Sequence, residues 1–235
     1  MRIGVNLKIL IAKKIPLSLL NNSLLSLPIL YKNKFINFES YLDEDAINEL
    51  LNAIQEVKNL SGNIIECGCA RCGTTCILAN YLKSNNIKKK IFALDSFKGF
   101  EKNELEDAIK KGLSTASSKD FTHSSYDYVQ KKIKKLRLTK FIIPIEGYFE
   151  QILSKIDSNY CLGFIDCDLK ESMTYSAETI WPKLTHGGKI FFDDYYGTQG
   201  SKGARSSIDN FVKNHLNEIE EYGITNRLYH VTKKR

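Results

Sequence analysis

Residues 187–197 read GGKIFFDDYYG: a glycine turn signal, an apolar run, and an abrupt stop on two adjacent carboxylates, Asp193 and Asp194. A run that is apolar on successive rather than alternate residues is a strand buried on both faces, as in parallel sheets covered by helices. Four other stretches share the pattern: NIIEC (63–67), KIFALD (90–95), FIIPIEG (141–147) and YCLGFIDCD (160–168). Helical periodicity fills the gaps, in TTCILANYLKS (74–84), SSYDYVQKKIKKL (124–136), ESMTYSAETIWPKL (171–184) and ARSSIDNFVKNHL (204–216). Ahead of the first strand, DEDAINELLNAIQEV (43–57) sets Ala46, Ile47, Leu50, Leu51, Ile54 and Val57 on one helical face. The alternation predicts an open, doubly wound α/β sheet with helices on both faces. Ligands of such sheets bind beyond the carboxyl ends of the strands. Here those ends carry Glu66, Asp95, Glu146 with Gly147, Asp166, and Asp193 with Asp194.

The chain has 235 residues, 43% of them hydrophobic, enough for one sizeable core. Its formal charge of +7 is concentrated at one end, since residues 1–38 hold six cations (Arg2, Lys8, Lys13, Lys14, Lys32, Lys34) and no acid. The remainder is nearly neutral, carries no nucleic-acid recognition motif, and predicts no nucleic-acid partner. The longest uncharged run of the basic end, Ile15 to Tyr31, is broken by Asn21, Asn22 and Pro28. That is short of the roughly 20 apolar residues that a spanning helix needs. Residues 1–40 are therefore read as an appended arm, lid or oligomer contact, with rest on an anionic membrane surface as the less favoured reading. Residues 41–235 form the folded domain. With no export signal, the six cysteines are expected to be reduced in the cytoplasm.

At the first strand end, ECGCARCGTT (66–75) places Gly68 and Gly73 around a tight turn into a helix. The spacing is not that of a dinucleotide fingerprint. At the second, Asp95 is suited to accept the hydroxyls of a ribose, which points to a nucleoside-bearing cofactor. Cys67, Cys69, Cys72 and Cys76 crowd the first turn, but their order and their overlap with strand and helix favour packing over metal ligation.

ECGCARCGTT, FALDSFKGF (92–100), IEGYFEQIL (145–153), FIDCDLKES (164–172), WPKLTHGGKIFFDDYYG (181–197) and GARSSIDNF (203–211) resemble, in order and spacing, the macrocin O-methyltransferase-like family of S-adenosylmethionine-dependent sugar O-methyltransferases. The resemblance runs from about residue 40 to the end. It implies a Rossmann-like class I methyltransferase with a mostly parallel seven-stranded sheet, S-adenosylmethionine and Mg2+ as cofactors, and a soluble homo-oligomer. By position it implies a cofactor lining of Glu66, Gly68, Asp95, Ser96, Gly147 and Tyr148, and a metal site of Asp166, Asp193 and Asp194.

Three carboxylates converging from two strand ends repel one another and call for a hard divalent cation with oxygen ligands. Such an ion would fix and acidify an acceptor hydroxyl in line with the sulfonium methyl. Asp193 is the first candidate for the proton acceptor and Asp168 the second. The acceptor expected is a nucleotide sugar, a glycan or a glycosylated natural product. Two other classes compete: a nicotinamide-dependent oxidoreductase, which leaves the three acids without a role, and a non-catalytic scaffold in glycan assembly. Residues 112–126 read equally as a mobile lid or a surface loop, with His123 on it. Arg205 reads as an anion contact or as a salt bridge within its helix.

Overall fold

The computed structural model describes residues 38–197 and 201–235. Helix α1 (Glu44–Val57) precedes β1 (Asn63–Cys67), α2 (Gly73–Ser84) and β2 (Ile91–Asp95). Then come α3 (Lys102–Lys110), α4 (Tyr126–Lys135), β3 (Ile142–Glu146), the short α5 (Phe149–Ile152) and β4 (Tyr160–Ile165). The chain continues through α6 (Lys170–Ile180), β5 (Leu184–Phe192), α7 (Ala204–His215), β6 (Ile219–Thr225) and β7 (Leu228–Lys233). The seven strands form one sheet in the order β3-β2-β1-β4-β5-β7-β6, parallel from β3 to β5. Strand β7 runs antiparallel to both of its neighbours. This is the Rossmann-like sheet expected.

The strand pleat sends successive residues to opposite faces, and both faces are covered. Ile64, Leu162, Phe164 and Phe191 join α1, α2 and α4 in one core. Ile65, Ile165, Ile190 and Phe192 join α6 and α7 in the other. The face read on α1 is the buried one, with Ala53 added, and Asp43 caps the helix by accepting from the Ala46 amide at 2.8 Å. Trp181, fully buried between α6 and β5, stacks edge-on against Phe211 and donates its indole N–H to Glu218 at 3.0 Å.

The structure departs from the sequence reading in several places, and the helix read over 171–184 ends at Ile180. Strand β5 starts at Leu184, and Gly187 and Gly188 lie inside it, where the pairing with β4 jumps from Tyr160↔Leu184 to Leu162↔Lys189. The glycines thus mark a bulge rather than a turn before the strand. Helix α3 shows no apolar periodicity in the sequence, because only Leu105 and Ala108 of its nine residues are buried. Strands β6 and β7 were implied only by the family resemblance; β6 is an edge strand on which Ile219 alone is buried.

The arm, lid or membrane reading of residues 1–40 lies outside the described residues, apart from Phe38, Glu39 and Ser40, which pack on the domain. Phe38 is 1% exposed. Lys132 on α4, itself buried, donates to the Phe38 and Arg71 carbonyls at 2.8 Å each and to Glu39 at 3.0 Å. Among the described residues no helix is long and apolar enough to cross a membrane.

Candidate functional site

The parallel strands deliver their carboxyl ends to one edge, and the first two loops there are fixed by backbone contact. Gly68, at φ 89°, lies so close to the end of β4 that a Cβ would sit 1.8 Å from the Asp166 carbonyl oxygen. No side chain fits at that crossing. Gly73, the first residue of α2, is pressed against the incoming strap in the same way, with a Cβ 2.4 Å from the Glu39 carbonyl. Glu39 accepts from Arg71 at 2.9 Å, from the Tyr128 hydroxyl at 2.6 Å and from Lys132. Burial pushes its carboxyl up, but those three donors outweigh burial and hold it below the usual range.

Asp95 closes the neighbouring turn. Its Oδ2 accepts the Ala70 amide at 2.8 Å and its Oδ1 the Phe97 amide at 2.7 Å, so one carboxylate ties the β1–α2 and β2–α3 loops together. Burial raises its pKa and the two amides oppose the rise. Each oxygen keeps lone-pair capacity for a ligand. Ser96 folds its hydroxyl onto the Gly99 carbonyl at 2.5 Å. Glu66, 2% exposed at the floor, accepts from Thr75 Oγ1 at 2.6 Å, and burial pushes its carboxyl up to about 8.

At the far side Asp166, from the end of β4, meets Asp193 and Asp194, from the end of β5, with one oxygen of each within 4.8 Å of the others. Among the described residues this is the only such group of possible ligands. Burial pushes Asp166 well up, and Asp193, Asp168 and Asp194 push it further. Asp168, at φ 60°, is raised to about 8 by burial and by Asp194, and Asp194 is raised in turn by burial and by Asp193. Against these four acids stands one guanidinium that the sequence did not announce. Arg227 donates Nε to Asp193 Oδ1 at 2.9 Å and Nη2 to Asp193 Oδ2 in a two-pronged pair. Glu104 was also missed: from α3 it accepts the amide and hydroxyl of Ser172 at 2.8 and 2.5 Å, capping α6 just past Asp168.

All ten residues singled out from the sequence, Glu66, Gly68, Asp95, Ser96, Gly147, Tyr148, Asp166, Asp168, Asp193 and Asp194, line one cavity of about 330 Å³. A second cavity of about 440 Å³ adjoins it. The two share Tyr41, Arg71, Phe100, Phe121 and Asp168. The second is walled by the loop that carries Thr115, Lys119 and His123, with Phe121 edge-on to Tyr41 and Phe100 at 6.1 and 5.5 Å. Arg205 pairs with Asp209 at 3.6 Å within α7, as one of its two readings has it. Cys67, Cys69, Cys72 and Cys76 are buried free thiols; burial pushes Cys67 up to about 12 and raises Cys69 and Cys76. Cys69, Cys72 and Cys76 pack into the core beneath α1 and α2, and Cys67 into the core on the other face of the sheet.

Three solved structures share this architecture. The O-methyltransferase NovP matches at 15% identity and a TM-score of 0.70, over 98% of this chain and 100% of its own. CalS11, a calicheamicin methyltransferase, matches at 17% and 0.65, over 90% and 89%. The SAH-bound methyltransferase PaMTH1 of Podospora anserina matches at 14% and 0.58, over 89% of each chain. At these identities the likeness carries the fold alone, and no curated protein matches the sequence. The family comparison reaches further, because residues 40–227, most of the chain and all but the last strand of the fold, match the macrocin-O-methyltransferase (TylF) family. The chain belongs to the macrocin-O-methyltransferase family and is an O-methyltransferase.

Proposed function

We propose that the protein moves the methyl group of S-adenosylmethionine to a sugar hydroxyl, with a divalent cation held by Asp166, Asp193 and Asp194. The observation that carries the reading is the single cavity with a ribose-type acceptor, Asp95, at one end and the acid cluster at the other. Three hard oxygen donors within 4.8 Å of one another fit Mg2+ or a similar ion. The sugar acceptor is supported by a related structure, CalS11, described as a TDP-rhamnose 3'-O-methyltransferase.

When bound, the cofactor supplies an electrophilic methyl and the cation polarises the acceptor hydroxyl. The protein's own groups do the rest. Asp95 receives the ribose hydroxyls on the lone pairs that Ala70 and Phe97 leave free. Glu66, Gly68, Ser96, Gly147 and Tyr148 wall the cofactor, with Gly68 allowing the backbone to approach. The acceptor enters through the second cavity, which shares Asp168 with the first. Of the two proton acceptors read from the sequence, Asp168 is the better placed, because Arg227 and the proposed cation together take up the lone pairs of the Asp193 carboxylate. Burial first, and then the neighbouring Asp194 and Asp193 carboxylates, raise Asp168 into the range of a general base, and in this reading it takes the proton of the acceptor hydroxyl. A cytoplasmic homo-oligomer without membrane contact belongs to the same reading, and light scattering of the full chain tests its mass.

The nicotinamide oxidoreductase reading does not survive the family match. The scaffold reading is tested together with the proposal by incubating protein, labelled S-adenosylmethionine and Mg2+ with panels of nucleotide sugars and glycans. Labelled sugar is the expected product. Absence of transfer to every acceptor, with no binding of S-adenosylhomocysteine by titration calorimetry, would leave a non-catalytic member of the family.

A further inference from the structure

Arg227 reaches the acid cluster because of the one reversal in the sheet. Strands β1 to β5 are parallel, so their amino ends face away from the site. Strand β7 is antiparallel to β5, with Tyr229 opposite Phe192, and its amino end therefore lies beside the carboxyl end of β5. Arg227 sits in the tight β6–β7 connection, where Thr225 pairs with Leu228 and Asn226 takes a left-handed φ of 54°. From there its guanidinium spans both oxygens of Asp193, whose side chain is 4% exposed against 37% for Arg227.

The geometry points to Arg227 as a positioning residue for the metal site: the two-pronged pair fixes the rotation of the Asp193 carboxylate, so that this ligand is held in orientation before the cation arrives. The inference rests on the reading of Asp166, Asp193 and Asp194 as the cation's ligands. Two prongs set the carboxylate plane, whereas a lysine ammonium in the same place would leave it free to turn. Partners that orient a metal's ligands typically change affinity by about 10- to 100-fold when lost. The arginine also brings a positive charge next to a cation site, and charge alone would act in the opposite sense, weakening cation binding. Orientation and charge are therefore separable by experiment.

Mn2+ is titrated calorimetrically into the full chain, saturated with S-adenosylhomocysteine, for the wild type, Arg227→Lys and Arg227→Met. Positioning predicts that both variants bind Mn2+ about 10- to 100-fold more weakly than the wild type, with S-adenosylhomocysteine affinity unchanged. Unchanged Mn2+ affinity in a folded Arg227→Lys, or tighter binding by Arg227→Met, overturns it and leaves a hairpin-closing arginine or a simple counter-charge. Should neither variant fold, the wild type decides. Its Arg227 Nε–Hε proton, followed by NMR through a Mg2+ titration, is expected to stay protected from solvent exchange at saturation. Loss of that protection means that the ion displaces the arginine, and the inference fails. A wild type that binds no Mn2+ refutes instead the metal reading beneath it.

Discussion

Gly68 and Asp166 touch backbone to backbone: a Cβ on the glycine would lie 1.8 Å from the aspartate's carbonyl oxygen. The two halves of the proposed site, the cofactor turn after β1 and the acid cluster after β4, are thereby fixed to each other at one atom's clearance. Gly68→Ala combines that clash with an unfavourable backbone angle. It should cost about 3 kcal/mol of stability or more and remove S-adenosylhomocysteine binding. Calorimetric unfolding measures the first and titration the second; wild-type values in both would show that the crossing yields.

Asp95 serves the fold and the ligand together. Asp95→Ala should weaken S-adenosylhomocysteine binding by about 2 to 3 kcal/mol, the range for losing charge-assisted hydrogen bonds. It should also lower the melting temperature, since the Ala70 and Phe97 amides lose their acceptor. Unchanged affinity would take Asp95 out of the cofactor site.

Lys132 is the pin of the entry strap. Lys132→Met leaves the Phe38 and Arg71 carbonyls and the Glu39 carboxylate without their shared donor. A loss of about 3 kcal/mol is expected, read as a drop of roughly 6–12 °C in melting temperature. Glu39→Gln, which keeps the pin, should lose less. Equal losses would place the stability in the carboxylate and not in the pin.

Much of the site was legible because chemistry marks its strand ends. Asp95, Asp166, Asp193 and Asp194 each terminate an apolar run, and an acid there has no place in the core. Lys132 stands in the lysine-rich stretch KKIKK (131–135), yet it is the buried member, turned under by the helix to meet a strap 93 residues away. Arg227 was illegible for a similar reason: it lies in the connection between β6, which is mostly exposed, and β7, and its partner Asp193 is 34 residues distant. Local pattern reports which residues leave the core. It does not report which distant partner they meet.

Glu66 gives a pH signature independent of any metal. Its carboxyl ionises near 4.5 when unfolded and near 8 when folded, so between those values the native state holds a proton that the unfolded chain has released. Its contribution is fully present below pH 4.5 and is lost as the pH rises towards 8. Glu66→Gln lacks this titration. Without cofactor, its stability relative to the wild type should therefore rise between pH 5 and 8, by up to about 4 kcal/mol. Parallel melting-temperature profiles would contradict the buried, protonated glutamic acid.

The account as a whole turns on the acid cluster, and Mn2+ binding to the wild type beside Asp166→Asn and Asp194→Asn tests it without knowledge of the acceptor. Each substitution keeps side-chain size and removes one negative charge from the group whose oxygens lie within 4.8 Å. The prediction is one Mn2+ per wild-type chain, binding at least tenfold weaker in either variant, and S-adenosylhomocysteine affinity retained in all three. A wild type that binds no Mn2+, or variants that bind it equally well, would contradict the metal-assisted mechanism.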